Sequence, residues 1–273
     1  TLLGDQVEVI ALPRDQVLHA IDDDTALVLL THVHFKTGAM WDMASVTQLA
    51  QHQGALMMWD LSHSVGAMPI ALDQANADLA VGCTYKYLNG GPGSPAFVYV
   101  AQRHLEQFQQ PLTGWLGHAK PFDFEDDYQA AKGIQQAMCG TPAVLANAAL
   151  EVALELMLTV DMVQIRHKSK HMGQLFIELV QQRCPWFELG SPLNEDDRGS
   201  QVSLIHPQGY AIMQALIARN IVGDFRAPDH LRFGFTPLYL KYVDLWDTVE
   251  ALVDIMANDH WNQPQFLAQQ AVT

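Results

Sequence analysis

The sequence predicts an α/β fold, with a mostly parallel sheet in the first half of the chain and a smaller α+β unit in the second. In the first half, short apolar runs typical of buried strands alternate with segments of helical period. This alternation is typical of a parallel sheet whose two faces are covered by helices. In the second half, long helical segments precede short strand-like runs. Hydrophobic residues make up 49% of the 273 positions, which is ample for a large core.

The first half contains five predicted strands and two predicted helices. The strands are at residues 6–12, 26–35, 55–60, 79–85 and 96–100. The helices are at 14–20 and 44–53. The second helix ends before Gly54, because glycine is favoured just past a helix C-terminus. Residues 111–141 follow, and they are rich in turns and aromatic side chains without a regular period.

The second half contains four predicted helices and three predicted strands. The helices are at residues 142–160, 162–183, 210–219 and 246–257. The strands are at 201–206, 221–225 and 231–235, and a polar loop covers 189–198. We therefore predict a large domain at 1–141 and a small C-terminal domain at 142–273.

Composition excludes several classes of function. The formal charge is −15, which argues against nucleic acid and anionic membrane surfaces, since both require a basic patch. No apolar run reaches the length of a membrane span. The three cysteines are not arranged as a disulfide framework or a zinc site, so a reduced, cytoplasmic setting is expected.

One lysine and one aspartate stand at the ends of neighbouring predicted strands. Lys86 follows the strand at 79–85 and precedes a glycine-rich turn, and Asp60 ends the apolar strand at 55–60. Ligands of such sheets bind at the carboxyl ends of the strands. Pyridoxal phosphate (PLP) chemistry needs a lysine for the cofactor aldehyde and a carboxylate for the pyridinium nitrogen. Without such a role, Lys86 would be an ordinary surface lysine and Asp60 would be the N-cap of the following turn.

Six segments in a fixed order resemble kynureninase, a family of fold-type I PLP-dependent enzymes. They are residues 31–38 (THVHFKTG), 59–66 (WDLSHSVG), 83–93 (CTYKYLNGGPG), 114–118 (GWLGH), 139–141 (CGT) and 231–239 (LRFGFTPLY). The resemblance runs from about residue 26 to about residue 256. It implies a PLP-binding large domain, a smaller C-terminal domain and hydrolysis of L-kynurenine or its 3-hydroxy form in tryptophan catabolism.

The resemblance also implies a role for each matched residue. Lys86, Asp60 and Tyr85 are expected to be catalytic, with Tyr85 as a proton relay, and Arg232 is expected to bind the substrate carboxylate. The expected cofactor contacts are Thr31, Asp60, His63, Tyr85, Lys86, Trp115 and Thr141. The family further implies a homodimer with active sites at the interface, where Trp115 and Thr141 would act.

Several alternatives stay open at this stage. Arg232 would instead form an internal ion pair if an acid lay beside it. His32 and His34 resemble the His-x-His of metal hydrolases, but no further ligand set follows, and no metal site is predicted. A related PLP lyase acting on sulfur would need a mobile cysteine, and Cys83 and Cys139 fit that role poorly. A non-enzymatic protein with the same fold is the remaining alternative.

The family places a further N-terminal third ahead of the point that matches residue 1. That part carries a phosphate-binding loop at a helix N-terminus and an aromatic side chain that stacks on the cofactor. We therefore expect this chain to be a fragment that binds PLP weakly when alone.

Overall fold

A computed structural model describes residues 7–268, and two four-stranded sheets organise them. The first sheet has the order β1-β2-β3-β4 and the second the order β5-β6-β8-β7. The strands are β1 (Leu27–Thr31), β2 (Leu56–Asp60), β3 (Leu79–Cys83), β4 (Ala96–Val100), β5 (Glu188–Leu189), β6 (Gln201–Ile205), β7 (Asp224–Arg226) and β8 (His230–Gly234). The helices are α1 (Arg14–Val17), α2 (Met43–His52), α3 (Val144–Leu158), α4 (Met162–Arg183), α5 (Gly209–Ile217), α6 (Tyr242–Ala257) and α7 (Pro264–Leu267).

The first sheet is mostly parallel, as the sequence predicts. Strands β1, β2 and β3 run parallel, and β4 pairs antiparallel with β3. The register places Thr31 beside Asp60, and Asp60 beside Val81. The carboxyl ends of these strands therefore lie along one edge, which β3 extends into the turn that carries Lys86.

Only one face of this sheet is covered within residues 7–268, although the sequence led us to expect two. Helix α2 and the β2–β3 connection both pack on the same face, so that buried side chains such as Val28, Met57, Trp59 and Ala80 lie there. The β2–β3 connection consists of turns and adds no helix to the opposite face. The open face exposes four large apolar side chains: Leu27 (46%), Leu29 (56%), Leu56 (40%) and Val98 (40%).

The second sheet is antiparallel throughout and forms a separate core with helices α4, α5 and α6. Phe176 of α4 packs against Phe233 and Phe235, and Leu252 of α6 is fully buried. The two sheets lie on either side of the predicted boundary at residues 141 and 142, which stays a prediction. No helix among the described residues is both long enough and apolar enough to traverse a bilayer.

Most predicted elements are confirmed within a few residues, and three differ. No strand forms over residues 7–12, and Gln6 lies outside the described residues. The strand predicted at 26–35 ends at Thr31, because a turn follows in which the Gly38 amide donates to the His34 carbonyl. The strand predicted at 221–225 instead occupies Asp224–Arg226, where it pairs with β8.

Candidate active site

The turns that follow β2 and β3 pack directly against each other, with Gly66 at the contact. Gly66 has φ +80°, and a Cβ at this position would lie 2.6 Å from the backbone carbon of Tyr87. A side chain there would therefore meet main chain, which cannot move aside. The glycine allows the segment after Asp60 to sit against the segment that contains Lys86.

A cavity of about 650 Å³ opens beside these turns. Four of the predicted site residues line it: His63, Tyr85, Lys86 and Arg232. The turns that follow β2 and β3 contribute the first three, and β8 of the second sheet contributes the fourth. The structure thus brings together the predicted cofactor lysine and the predicted carboxylate-binding arginine, which are 146 residues apart in the sequence.

The Lys86 amine faces the cavity without a strong internal partner. Its Nζ lies 5.1 Å from the centroid of the Tyr85 ring. Within residues 7–268 it has no hydrogen bond or ion pair. An amine held this way is available for a bond to a ligand in the cavity.

His63 is held in its neutral form. The pKa of its imidazole is lowered to about 4, chiefly by burial and then by the positive charges of Lys86 and Arg232, whereas the charge of Asp60 acts in the opposite direction. These contributions also show that Lys86, Arg232 and Asp60 all lie within electrostatic range of one ring. At neutral pH the imidazole can donate and accept hydrogen bonds but adds no charge to the site.

Asp60 and Thr31 stand at the strand ends, outside the group of residues that lines the cavity. Both side chains belong to the open face of the first sheet, because side chains alternate along a strand and Val28 in β1 and Trp59 in β2 are buried on the other face. The Asp60 Oδ1 accepts a hydrogen bond from the Ser62 amide at 2.8 Å. That contact is the turn-capping alternative considered above, and it leaves Oδ2 available for another group.

Arg232 forms an internal ion pair, which was the alternative to substrate binding. Its Nη2 lies 2.5 Å from Oδ2 of Asp224, and its Nη1 donates to the Phe35 carbonyl. Its Nε is buried and has no partner among the described residues. The ion pair therefore uses only part of the guanidinium, so the internal contact and a role toward substrate are compatible.

Trp115 and Thr141 lie apart from the cavity of their own chain. Both side chains are exposed, and Trp115 packs edge-to-face on Phe122 with ring centroids 5.6 Å apart. The structure of one chain therefore does not bring Trp115 and Thr141 to the other predicted site residues.

The histidines and cysteines outside the cavity offer no comparable site. Burial lowers the pKa of His32 to about 4, and His34 shares a hydrogen bond with Thr37 at 3.0 Å. Across residues 7–268, no group of three His, Cys, Asp or Glu side chains is placed to hold a metal. Cys139 is exposed, whereas Cys83 is half-buried beside the Ser62 carbonyl.

Sequence reasoning missed several residues that build the cavity. Tyr87 is partly buried, and desolvation of its phenol raises the pKa of that group. Its hydroxyl donates to the Ser200 carbonyl at 3.0 Å, which joins the Lys86 turn to the segment before β6. Asp224 and Arg226 line the cavity from β7. The acid–x–base alternation of Asp224 and Arg226 was the available signal, but their pairing with β8 could not be read from the sequence.

The residues present fit a PLP ring. Lys86 offers an unpaired amine on the cavity for an aldehyde, and Asp60 offers a free carboxylate oxygen at the neighbouring strand end for a pyridinium. Neutral His63 lines the cavity within electrostatic range of both. The set of cofactor contacts is less complete, because only His63, Tyr85 and Lys86 of the seven predicted ones line the cavity.

Comparison with known proteins agrees with this geometry. The family model described as "Kynureninase C-terminal domain" matches residues 165–252. The chain is 50% identical over 256 residues to a kynureninase of Burkholderia mallei (strain SAVP1), which covers 93% of this chain and 62% of the relative. It is 48% identical over 261 residues to a kynureninase of Pseudomonas fluorescens, covering 95% and 63%. The chain is thus a homologue of kynureninases and spans less than two thirds of their length.

Solved structures of lower identity share the fold. A cysteine desulfurase from Thermococcus onnurineus NA1 superimposes with a TM-score of 0.77 at 16% identity, covering 89% of this chain and 63% of the other. An alanine–glyoxylate aminotransferase from Nostoc sp. gives 0.67 at 19% identity, covering 90% and 66%. The cystine C–S lyase C-DES gives 0.76 at 20% identity, covering 87% and 63%. The predicted fold-type I architecture of PLP-dependent enzymes is therefore confirmed.

Proposed function

We propose that this chain forms the greater part of a PLP-dependent hydrolase that converts L-kynurenine, or its 3-hydroxy form, to anthranilate or 3-hydroxyanthranilate and L-alanine. The observation that carries the proposal is the placement of Lys86 and Arg232 on one cavity. The first would bond the cofactor and the second would bind the substrate carboxylate. Identity of 50% to kynureninases over 93% of the chain supports the same reaction.

The proposed roles follow from the position of each side chain. Lys86 would bond the cofactor aldehyde, and Asp60 would keep the ring nitrogen protonated. When bound, PLP supplies an electron sink for the charge that develops at the substrate Cα. Once released from that bond, Lys86 would be the base at Cα, because its amine faces the cavity without an internal hydrogen-bond or ion-pair partner among the described residues.

The remaining residues orient the substrate and move protons. Arg232 would fix the carboxylate by a charge-assisted hydrogen bond from the guanidinium. Tyr85 is half exposed at the cavity and would relay protons during cleavage of the Cβ–Cγ bond. His63 would orient neighbouring groups by hydrogen bonding, since its lowered pKa keeps it uncharged at pH 7.

The functional unit is proposed to be a cytoplasmic homodimer that acts in tryptophan catabolism. Trp115 and Thr141 are exposed and lie away from the cavity of their own chain. This placement supports their reaching the cavity of a second copy. Their cofactor-binding role is proposed on that basis.

Turnover tests the proposal directly. The chain is assayed with PLP and L-kynurenine, both alone and as a chimera carrying the additional segment of the Burkholderia mallei relative. Anthranilate is followed by fluorescence and alanine by an enzyme-coupled assay. We expect equal amounts of both products from the chimera, and none from its Lys86→Ala variant, whereas Lys132→Ala, at an exposed position outside the cavity, retains turnover. Release of alanine from cysteine but not from kynurenine would instead support a sulfur lyase.

A further inference from the structure

Three charged side chains form one cluster on the small-domain wall of the cavity. Asp224 and Arg232 face each other across the antiparallel pair of β7 and β8. The Asp224 Oδ2 lies 2.5 Å from the Arg232 Nη2, and its Oδ1 lies 2.9 Å from the Arg226 Nη1. One carboxylate is therefore shared by two guanidiniums, each on its own oxygen.

The cluster carries one net positive charge, because two guanidiniums are offset by a single carboxylate. Asp224 and Arg232 alone would form a neutral pair with little attraction for another anion. Arg226 changes this balance by engaging the second oxygen of Asp224. Arg226 and Arg232 both line the cavity, so this charge is presented to a ligand bound there.

We propose that Arg226 is a specificity-determining residue for the substrate carboxylate, and that Asp224 is the positioning residue that fixes Arg232 toward it. Arg226 offsets the charge of Asp224, so that Arg232 keeps its attraction for one carboxylate while still being held by an ion pair. The ligand is a monocarboxylate of the α-amino acid class. The inference rests on the proposed function for the identity of that ligand.

The cluster is well supported on its other sides. The Arg232 Nη1 also donates to the Phe35 carbonyl of the large domain. Lys36 donates to the Ala227 carbonyl at 2.9 Å, next to Arg226. These contacts join the β7–β8 hairpin to the turn after β1, so that the orientation of Arg232 depends on both domains. Arg226 is itself one third exposed, with 36% of its side chain accessible, so its replacement removes charge with little loss of packing.

The test compares two ligands that differ only in the group that the cluster would recognise. L-Kynurenine and its carboxamide are titrated by ligand-observed NMR against the cofactor-free 273-residue chain. The readout is the ratio of the two dissociation constants. We expect the unsubstituted chain to prefer the acid by at least about tenfold, as is typical of one charge-assisted contact. Arg226→Gln should abolish most of that preference by weakening acid binding alone, and Arg226→Lys should preserve it.

Asp224→Asn separates the positioning role from simple charge competition. It raises the net charge of the cluster, yet it releases Arg232 from its ion pair. We expect the preference for the acid to fall. If Asp224 only competed with the substrate carboxylate for Arg232, its removal would raise that preference instead. A preference that rises in Asp224→Asn would overturn the positioning role of Asp224.

The remaining outcomes are equally decisive. An unchanged ratio in Arg226→Gln, or an equal loss of affinity for acid and carboxamide, would overturn the role of Arg226. If Arg226→Gln does not fold, Arg226→Lys decides the question. A tenfold loss of the preference for the acid in that variant, despite the retained charge, would contradict the inference. The measurement involves no turnover. If the chain discriminates the ligands but the chimera never cleaves kynurenine, the proposed function would be contradicted and the binding cluster would stand.

Discussion

Replacing Gly66 by alanine should loosen the contact that places Lys86 beside the turn after Asp60. Gly66 has φ +80°, and an added Cβ would lie 2.6 Å from the Tyr87 backbone carbon and 2.7 Å from its oxygen. The left-handed conformation costs about 1–2 kcal/mol for a residue with a Cβ. Overpacking against backbone adds about 1–3 kcal/mol. Together, Gly66→Ala should lower the free energy of unfolding by about 2–5 kcal/mol.

Gly54 provides a matched control within the same domain. It has φ +87°, but no atom lies within 4 Å of a Cβ built there. Gly54→Ala should therefore show the conformational cost alone, about 1–2 kcal/mol. The difference between the two variants isolates the contact between the turns.

Urea denaturation followed by circular dichroism gives both free energies. A second readout is the yield of PLP fixed to Lys86 by borohydride, which should fall in Gly66→Ala and not in Gly54→Ala, because only the first variant displaces the Lys86 turn. Equal destabilisation of the two variants would show that the turns do not depend on this close approach.

Three other predictions concern the cofactor and the substrate. Borohydride reduction in the presence of PLP should label the peptide containing Lys86; a label on Lys36 instead would remove the assigned site. Arg232→Leu should raise KM for kynurenine by roughly ten- to 150-fold, equivalent to about 1.5–3 kcal/mol. The protein should stay folded, because Asp224 keeps Arg226 as a partner. Unfolding of the variant would show that Arg232 has a structural role instead. Absorbance titration should show weak PLP binding by the 273-residue chain and tight binding by the chimera with the additional segment; equal, tight binding by both would contradict the expected division of the site.

The parallel sheet and the edge that carries the site were predictable because they depend on local patterns. Apolar runs of strand length alternating with helices specify parallel strands. A polar residue at the end of such a run, as at Asp60, marks the edge where ligands bind. Thr31, Asp60 and the Lys86 turn accordingly lie at neighbouring strand ends in the structure.

The wall of the cavity formed by β7 and β8 could not be predicted, because it depends on the pairing of two separate strands. The pairing of Asp224 with Arg232 follows from the β7–β8 register, and the strand itself was predicted three residues too early. The sequence offered an internal ion pair for Arg232 only as an alternative, without the acid that would form it. The structure shows that this acid is Asp224. It also places Arg226 beside Asp224, where its charge offsets that of the carboxylate and leaves Arg232 able to attract a substrate anion.

The open face of the first sheet links burial of the fold to cofactor binding at Asp60. A parallel sheet is normally buried on both faces, yet Leu27, Leu29, Leu56 and Val98 expose large apolar surfaces on one of them. The side chain of Asp60 belongs to this same face.

Kynureninase relatives carry about 38% of their length outside the part that matches this chain (100% less the 62% that is matched). A segment of that size packed on the open face would bury these side chains and shield Asp60 from solvent. Exclusion of water there would strengthen the contact of Asp60 with a cationic ring nitrogen. Sheet burial and cofactor affinity are thus expected to rise together, because both depend on covering the same surface.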